Sequence, residues 1–139
     1  MSAVVFDNVD IVFGDRARDA LPLIDKGSTR DEILQATGCV LGAAGVKLSV
    51  EPGEICVLMG LSGSGKSTIL RAVNGLNKVA RGRVLVEDGG RQVDVAHCSA
   101  ADLRALRTRR IAMVFQQFAL LPWRTVRENV GLGLELRGA

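Results

Sequence analysis

A glycine-rich segment with a single lysine carries the residues of this sequence best suited to bind phosphate. It reads Gly60-Leu61-Ser62-Gly63-Ser64-Gly65-Lys66-Ser67-Thr68, with the spacing of a P-loop, G-x-x-x-x-G-K-[ST]. Its three glycines allow the backbone to take positive φ, so that N–H groups can converge on an anion. Lys66 is predicted to contact the β- and γ-phosphates, and the Ser67 hydroxyl to bind Mg²⁺.

The segments on either side of this P-loop predict a strand and a helix. The apolar run 55–59 precedes it, and the helical pattern 69–73 follows and stops at Asn74-Gly75. A helix beginning at the loop directs the positive end of its dipole at the same point. A flexible Gly/Ser linker is the alternative, but a linker would not lie between a buried strand and a helix start. The sequence therefore predicts a nucleoside triphosphate site.

Length, charge and cysteine use exclude several other classes of protein. The 139 residues suffice for one domain with a sizeable core. A net charge of +3 does not indicate a nucleic-acid partner, and the arginines at 104, 107, 109 and 110 are typical of a solvated helix face. No apolar stretch reaches the ~18 residues of a membrane span, and the N-terminus lacks a signal pattern. Scattered cysteines without a C-x-x-C pair indicate a reducing, cytoplasmic setting.

Two single residues receive structural rather than chemical interpretations. Cys56 lies within the apolar run before the P-loop and is predicted to be a small core residue. His97 has no partner at metal-binding spacing and is predicted to be a loop histidine.

The remaining patterns predict an antiparallel sheet and several short helices. Strands are expected at 4–6 and 9–13, separated by Asp7-Asn8, and at 46–50. A hairpin is expected from 82–87 and 92–95 around the turn 88–90. Capping patterns at Thr29, Ser99 and Thr125 predict helices over 32–36, to about 107 and to about 136. The run 111–115 predicts a buried parallel strand that ends at Gln116. The fold class is therefore α/β, a partial P-loop NTPase core with an antiparallel β-subdomain.

Two segments resemble the ATPase subunits of ABC transporters. Residues 61–68 are similar to the family's P-loop, and Met-Val-Phe-Gln-Gln-Phe-Ala-Leu-Leu-Pro at 113–122 resembles its Q-loop, in the same order and with a comparable gap. The resemblance covers nearly the whole chain. The insertion at 14–45 and the sequence at 59–63 are similar to those of the ATPases of choline and glycine betaine/proline importers. The choline type is nearest, judged on 71–77 and 121–126.

The resemblance implies roles for individual residues. Residues 60–68 would wrap the phosphates of ATP, and Lys66 and Gln116 would act in catalysis. Gln116 would reach the attacking water and, with Ser67, the Mg²⁺ ion. Phe13 would lie under the adenine ring, the alternative being a core Phe beside Val9 and Ile11. Trp123 would contact the membrane subunit, the alternative being local packing.

The resemblance also implies a role for the whole protein. It would be the ATP-binding subunit of an importer for choline or glycine betaine-like solutes, peripheral on the cytoplasmic face of the plasma membrane. Its partners would be an integral-membrane permease and a second ATPase subunit, forming a homodimer, and no nucleic acid. The sequence contains no L-S-G-G-Q-like signature, no later apolar run ending in Asp-Glu and no switch histidine. Residues 84–88 are similar to the apolar run that ends in Asp-Glu, but they are better explained as a hairpin strand.

Residues 1–139 are therefore expected to be the N-terminal part of one ABC-type ATP-binding domain, with its helical subdomain truncated. Hydrolysis by this segment alone should be very slow or absent. A soluble P-loop kinase or GTPase is the alternative, although Asn77-Lys78 continues as Val79-Ala80 and not as the guanine-reading N-K-x-D. A nucleotide-binding module without turnover is a third possibility.

Overall fold

The fold is built on a four-stranded antiparallel sheet with the strand order β2-β1-β3-β4. A computed structural model describes residues 1–138. The strands are β1 Val4–Phe13, β2 Val40–Val50, β3 Arg81–Asp88 and β4 Arg91–Asp94. The helices are α1 Ala17–Asp25, α2 Arg30–Thr37, α3 Lys66–Val73, α4 Ala100–Arg109 and α5 Val126–Glu135. No helix within residues 1–138 has the length and apolar character needed to cross a bilayer.

The strand β1 is continuous where the sequence predicts two strands. Asn8 takes a positive φ of 53°, and the pairing register shifts between Phe6 and Val9. The polar pair therefore produces an irregularity within one strand and not a turn between two. Opposite this irregularity, β3 contributes Gly82 at φ 92°. A Cβ atom added there would lie 2.4 Å from the backbone oxygen of Asn8, so the close approach of β1 and β3 requires glycine.

Both faces of β1 are covered, because its side chains pack into two separate hydrophobic clusters. Val9 and Ile11 are fully buried in the larger cluster with residues of β3, α3 and α4. Val12 belongs to the smaller cluster, beneath α1 and α2, with Ala20, Ile33 and Cys39. The two helices of the insertion thus dock on the sheet through an apolar face of their own.

An ion triad joins α1 to the sheet. The buried Asp10 carboxylate accepts hydrogen bonds from Arg81 Nε at 2.6 Å and from the backbone N–H of Gly45 at 2.7 Å. The same guanidinium donates to both carboxylate oxygens of Asp25 at 2.9 and 2.7 Å. Asp25 first and then Asp10 raise the pKa of Arg81, and Arg81 lowers the pKa of Asp25. All carboxylate oxygens of the triad therefore have donors, which a buried charge requires.

The predicted helix starts and the hairpin are confirmed. Thr29 and Thr125 each form a capping box with the glutamate three residues later, and Ser99 caps α4 through the backbone N–H of Asp102. The helix α2 is longer than predicted and ends at Gly38, which takes φ 71°. The strand predicted at 46–50 begins earlier, at Val40. Strands β3 and β4 pair across the turn Gly89-Gly90.

The prediction of two parallel strands at 55–59 and 111–115 is wrong. Both runs lack strand structure, although Cys56, Leu58 and residues 111–114 line one apolar groove beside β1, β2 and α3. A strand needs a neighbour whose N–H and C=O groups face its own, and no strand within residues 1–138 offers one to either run. Cys56 is accordingly exposed rather than a core residue, and Val114 is 97% exposed.

Candidate nucleotide site

The N-terminus of α3 lies directly behind the P-loop. Gly65 occupies the N-cap position at φ 96°, with no side chain capping the helix. The first hydrogen bond of the helix runs from Ile69 N to Gly65 O at 3.0 Å. The N–H groups of Lys66, Ser67 and Thr68 precede that bond and have no acceptor within the helix. Three N–H groups and the positive helix end therefore converge where an anion would bind.

All three loop glycines take the positive φ that the sequence predicts. Gly63 and Gly65 take φ values of 76° and 96°. Gly65 also lacks space, since an added Cβ would lie 2.6 Å from the backbone oxygen of Gly42. Gly60 has a φ of 158°, close to extended backbone. An added Cβ there would meet Ser64 Oγ at 2.7 Å, so at Gly60 the glycine also provides room for the Ser64 side chain.

The Lys66 ammonium lies across the loop. Its Nζ donates to the backbone oxygens of Gly60 at 2.7 Å and Leu61 at 2.6 Å, and to Ser64 Oγ at 3.2 Å. These acceptors are neutral, and a phosphate oxygen would be a stronger, charged acceptor for the same donors. Gly60 and Leu61 thus contribute to the site by holding the lysine.

A cleft of about 430 Å³ brings the separately predicted residues together. It is lined by Phe13, Arg30, Val40, Leu41, Gly42, Ser62, Gly63, Ser64, Gly65, Lys66, Ser67, Thr68 and Gln116. The P-loop provides one wall, and the start of β2 with the end of β1 provides another. Of the predicted site residues, all line the cleft except Gly60 and Leu61.

Phe13 lies at this cleft and not in the core with Val9 and Ile11. Its side chain is 41% exposed, whereas Val9 and Ile11 are fully buried. A Cβ atom added to Gly42 would lie 2.7 Å from Cε2 of the Phe13 ring and 3.0 Å from Cγ2 of Thr68. The ring therefore packs against the main chain of β2, close to the first turn of α3. An aromatic face beside a phosphate cradle is suited to stack on a base.

Comparison with known proteins decides the family. Residues 43–138 match the profile described as ABC transporter, which is more than half of the chain. The chain belongs to the ABC transporter family. The match includes the P-loop and Gln116, and it excludes β1, α1 and α2.

The similar ABC proteins include three with transport names. The chain is 48% identical over 131 residues to the glycine betaine/proline betaine transport system ATP-binding protein ProV of Salmonella typhimurium, covering 94% of this chain and 32% of that protein. It is 42% identical to the glycine betaine transport ATP-binding protein OpuAA of Bacillus subtilis, covering 95% and 31%. It is 43% identical to the trimethylamine N-oxide transport system ATP-binding protein TmoW of Ruegeria pomeroyi, covering 94% and 37%. The chain therefore spans about a third of the length of these curated relatives.

Solved structures of an ABC cassette share the fold. The dimeric bacterial ABC transporter cassette MJ0796 superimposes with a TM-score of 0.72 at 27% identity, covering 96% of this chain and 47% of that one. Its post-hydrolysis form, bound to ADP and Pi, has a TM-score of 0.69 at 28% identity and the same coverage. The predicted fold class, a partial ABC-type ATPase fold with an antiparallel β-subdomain, is confirmed.

The residues present fit a nucleotide with Mg²⁺ better than a metal held by protein alone. No group of three or more His, Cys, Asp or Glu side chains within residues 1–138 could hold a metal ion. Mg²⁺ is commonly bound by few protein oxygens together with phosphates and waters, and the Ser67 hydroxyl and Gln116 amide line the same cleft. His97 lies in a turn, with Nδ1 2.8 Å from Asp94 Oδ2.

Beyond Gln116, the segment that resembles the Q-loop is largely exposed. Trp123 lies in a turn before α5 and is 76% exposed, so it is not packed into a local core. Next to it, Arg124 forms a two-bond ion pair with Glu135 at the end of α5, at 2.5 and 3.1 Å. This pair raises the pKa of Arg124 and lowers that of Glu135.

Four residues that line the cleft were not predicted from the sequence: Arg30, Val40, Leu41 and Gly42. Arg30 Nη1 donates to the backbone oxygen of Gly63 at 2.8 Å, and the missing side chain of Gly42 leaves room for the Phe13 ring and the Thr68 methyl. The Thr29 capping pattern predicts the helix that carries Arg30 but not the element it faces. Gly42 precedes the predicted strand, and only the extension of β2 to Val40 places it beside the P-loop.

Proposed function

We propose that this chain forms the ATP- and Mg²⁺-binding part of the ATP-binding subunit of an ABC importer for choline or glycine betaine-like solutes. The observation that carries the proposal is the single cleft that gathers the P-loop, Phe13 and Gln116 from distant parts of the chain. The transport names of the similar proteins support this solute class. The solute itself would be bound by other components of the importer.

In this proposal the P-loop residues hold the triphosphate. The N–H groups at the start of α3 would donate to phosphate oxygens, and Lys66 would exchange its loop acceptors for the β- and γ-phosphates. Phe13 would stack on the adenine, and base–aromatic stacking contributes about 1–3 kcal/mol. The loop would thus provide affinity, and Phe13 would fix the position of the base.

Ser67 and Gln116 are proposed to serve the metal and the water. Bound Mg²⁺ would neutralise charge on the transferred phosphoryl group. The Ser67 hydroxyl would be its protein ligand in the loop, and the Gln116 amide, which both donates and accepts, would orient the attacking water. Lys66 and Gln116 are therefore the proposed catalytic residues.

The complete protein is proposed to act as an ATPase in a larger assembly. Residues 1–139 would form part of one ATP-binding domain, containing the P-loop core and the antiparallel sheet without the helical subdomain. Its partners would be an integral-membrane permease and a second, identical ATPase subunit at the cytoplasmic face of the plasma membrane. Because this sequence contains no signature motif and no Asp-Glu after an apolar run, these residues alone should bind ATP with little or no hydrolysis.

A calorimetric titration with Mg-ATP tests the site. Each charge-assisted hydrogen bond to phosphate contributes about 1.5–3 kcal/mol, so Lys66→Ala should weaken binding at least about tenfold. Lys47→Ala, which removes an exposed lysine on β2 outside the cleft, should bind like the wild type. Equal affinity of Lys66→Ala and the wild type would remove the proposed phosphate site.

Two further measurements separate the alternatives. Competition between ATP and GTP should favour ATP, and a strong preference for GTP would point to a GTPase. Transfer of the γ-phosphate to a small acceptor, followed with labelled ATP, would point to a kinase.

A further inference from the structure

We propose that Arg30 is a positioning residue of the nucleotide site, which sets the orientation of the P-loop backbone and thereby raises affinity for Mg-ATP. The inference rests on the proposed nucleotide function and adds to it a residue from the insertion between β1 and β2. Arg30 lies outside the segment that matches the family profile.

The helix α2 holds Arg30 in a defined place. Arg30 is the first residue of the helix, next to the capping box in which Thr29 and Glu32 exchange hydrogen bonds. One turn further, Ile33 is fully buried and packs with Cys39 against β1. The backbone of Arg30 is thus fixed by a cap and by an apolar anchor, so its side chain leaves from a rigid element.

The contact made by Arg30 acts on a single peptide group of the loop. Arg30 Nη1 donates to Gly63 O at 2.8 Å, and the N–H of Ser64, in the same peptide plane, donates to Leu61 O at 3.2 Å. Because a peptide group is planar, fixing its oxygen and its N–H fixes its orientation. Gly63 has φ 76° and no neighbouring atom within 4 Å of an added Cβ, so no side chain packs against this glycine on that side.

Arg30 also contributes its positive charge to the cleft. Arg30 lines the cleft together with Lys66. Within residues 1–138, its bond to Gly63 is the one hydrogen bond that this side chain makes, and no carboxylate there forms an ion pair with it. A guanidinium carries five N–H donors, so most remain available. Arg30 therefore adds positive charge at the loop while holding its backbone.

Substitutions at residue 30 test this role in the full chain. Arg30→Met retains the length and apolar stem but no donor, and Arg30→Lys retains charge and a donor. The Mg-ATP dissociation constant should rise about threefold or more in Arg30→Met, the effect of losing one exposed charge-assisted bond, and by less than about twofold in Arg30→Lys. The matched control is Arg18→Met, which removes an exposed arginine from the neighbouring helix α1 away from the cleft.

A second measurement detects positioning without nucleotide. In ¹⁵N–¹H spectra, the Ser64 and Gly65 amide signals should shift in Arg30→Met and stay in place in Arg18→Met. The unfolding temperature without nucleotide should be unchanged in both variants, because both arginines are exposed. A change confined to stability would indicate a merely structural contact and overturn the proposal.

The outcomes also distinguish this inference from the proposed function. If Lys66→Ala weakens binding and Arg30→Met does not, Arg30 has no role and the nucleotide site stands. If Lys66→Ala binds as the wild type does, the site itself is wrong. Equal losses in Arg30→Met and Arg30→Lys would also overturn the role of Arg30, since the donor and the charge would then not matter.

Discussion

Single glycines decide how closely the main chains of this protein approach one another. Gly82 lies against the backbone oxygens of Asp7 and Asn8, and Gly65 lies against that of Gly42. In both places the neighbour is backbone, which cannot rotate away as a side chain can. The sheet and the P-loop therefore tolerate no side chain at these two positions.

A glycine substitution in β3 tests this at the residue scale. Gly82→Ala combines positive-φ strain of about 1–3 kcal/mol with a Cβ only 2.4 Å from Asn8 O. It should lower the free energy of unfolding, measured in urea, by clearly more than Gly53→Ala. Gly53 has a similar φ of 79° and no atom within 4 Å of an added Cβ, so its variant reports strain alone. Equal losses of unfolding free energy in the two variants would show that β1 shifts at its irregularity near Asn8 to accommodate the added methyl group.

The chemistry of the loop could be predicted residue by residue, whereas its surroundings could not. The P-loop spacing is local, and a helix follows it as predicted, although it begins at Lys66 and not at the predicted run 69–73. Phe13 and Gln116 were assigned by resemblance, and the structure places both at the loop. Arg30 acts on Gly63 through an exposed side chain 33 positions away. Neither the composition nor the periodicity of the sequence indicates that residues 30 and 63 are in contact.

At the scale of elements, predictions succeeded where a few neighbouring residues decide the outcome. Thr29 and Thr125 start helices because each side chain bonds a backbone N–H three residues later. The turn of the hairpin consists of Gly89 and Gly90, which both take positive φ values. The runs 55–59 and 111–115 have strand composition but lack strand structure, because strand pairing depends on a partner elsewhere in the chain.

The helix α5 should respond to acid through its capping box. The Glu128 carboxylate accepts from Thr125 N at 2.7 Å and Thr125 Oγ1 at 2.8 Å, and these bonds, the backbone one first, lower the pKa of Glu128 from 4.5. A lowered pKa means that the stabilisation is complete above pH 4.5 and is lost as pH falls through the folded-state value. An NMR titration should show Glu128 titrating below 4.5 while the helical ¹³Cα shifts of α5 decline.

The control for this titration is Glu128→Gln, which retains a capping side chain without a titrating group. Its α5 shifts should depend less on pH, and the remaining dependence should follow Glu135, whose pKa Arg124 lowers. A Glu128 midpoint at or above 4.5 would contradict the hydrogen bonds of the cap.

At the scale of the whole molecule, apolar side chains are distributed unevenly. The sheet buries its side chains under α1 to α4, while the runs on either side of the groove face solvent, with Ile55 90% exposed and Val114 97% exposed. The helix α5 has no buried residue. Apolar surface of this extent promotes association between chains.

The double variant Ile55→Lys, Val114→Lys should therefore stay monomeric at higher concentration than the wild type. Its free energy of unfolding should change by less than about 0.5 kcal/mol, as is usual for exposed positions. Light scattering after gel filtration measures the first quantity and urea unfolding the second. Val84→Lys, at a fully buried position of β3, should lose most of its stability. A similar loss in the double variant would place Ile55 and Val114 in the interior.

Gly42 has a consequence for the size of molecule that the cleft accepts. The Phe13 ring and the Thr68 methyl both approach the place where its side chain would be. Because an added Cβ would lie 2.7 Å from the Phe13 ring and 3.0 Å from the Thr68 methyl, a side chain at residue 42 would have to displace one of them. Phe13 and Thr68 both line the cleft, so we expect any residue larger than glycine at this position to change the shape of the space open to a ligand.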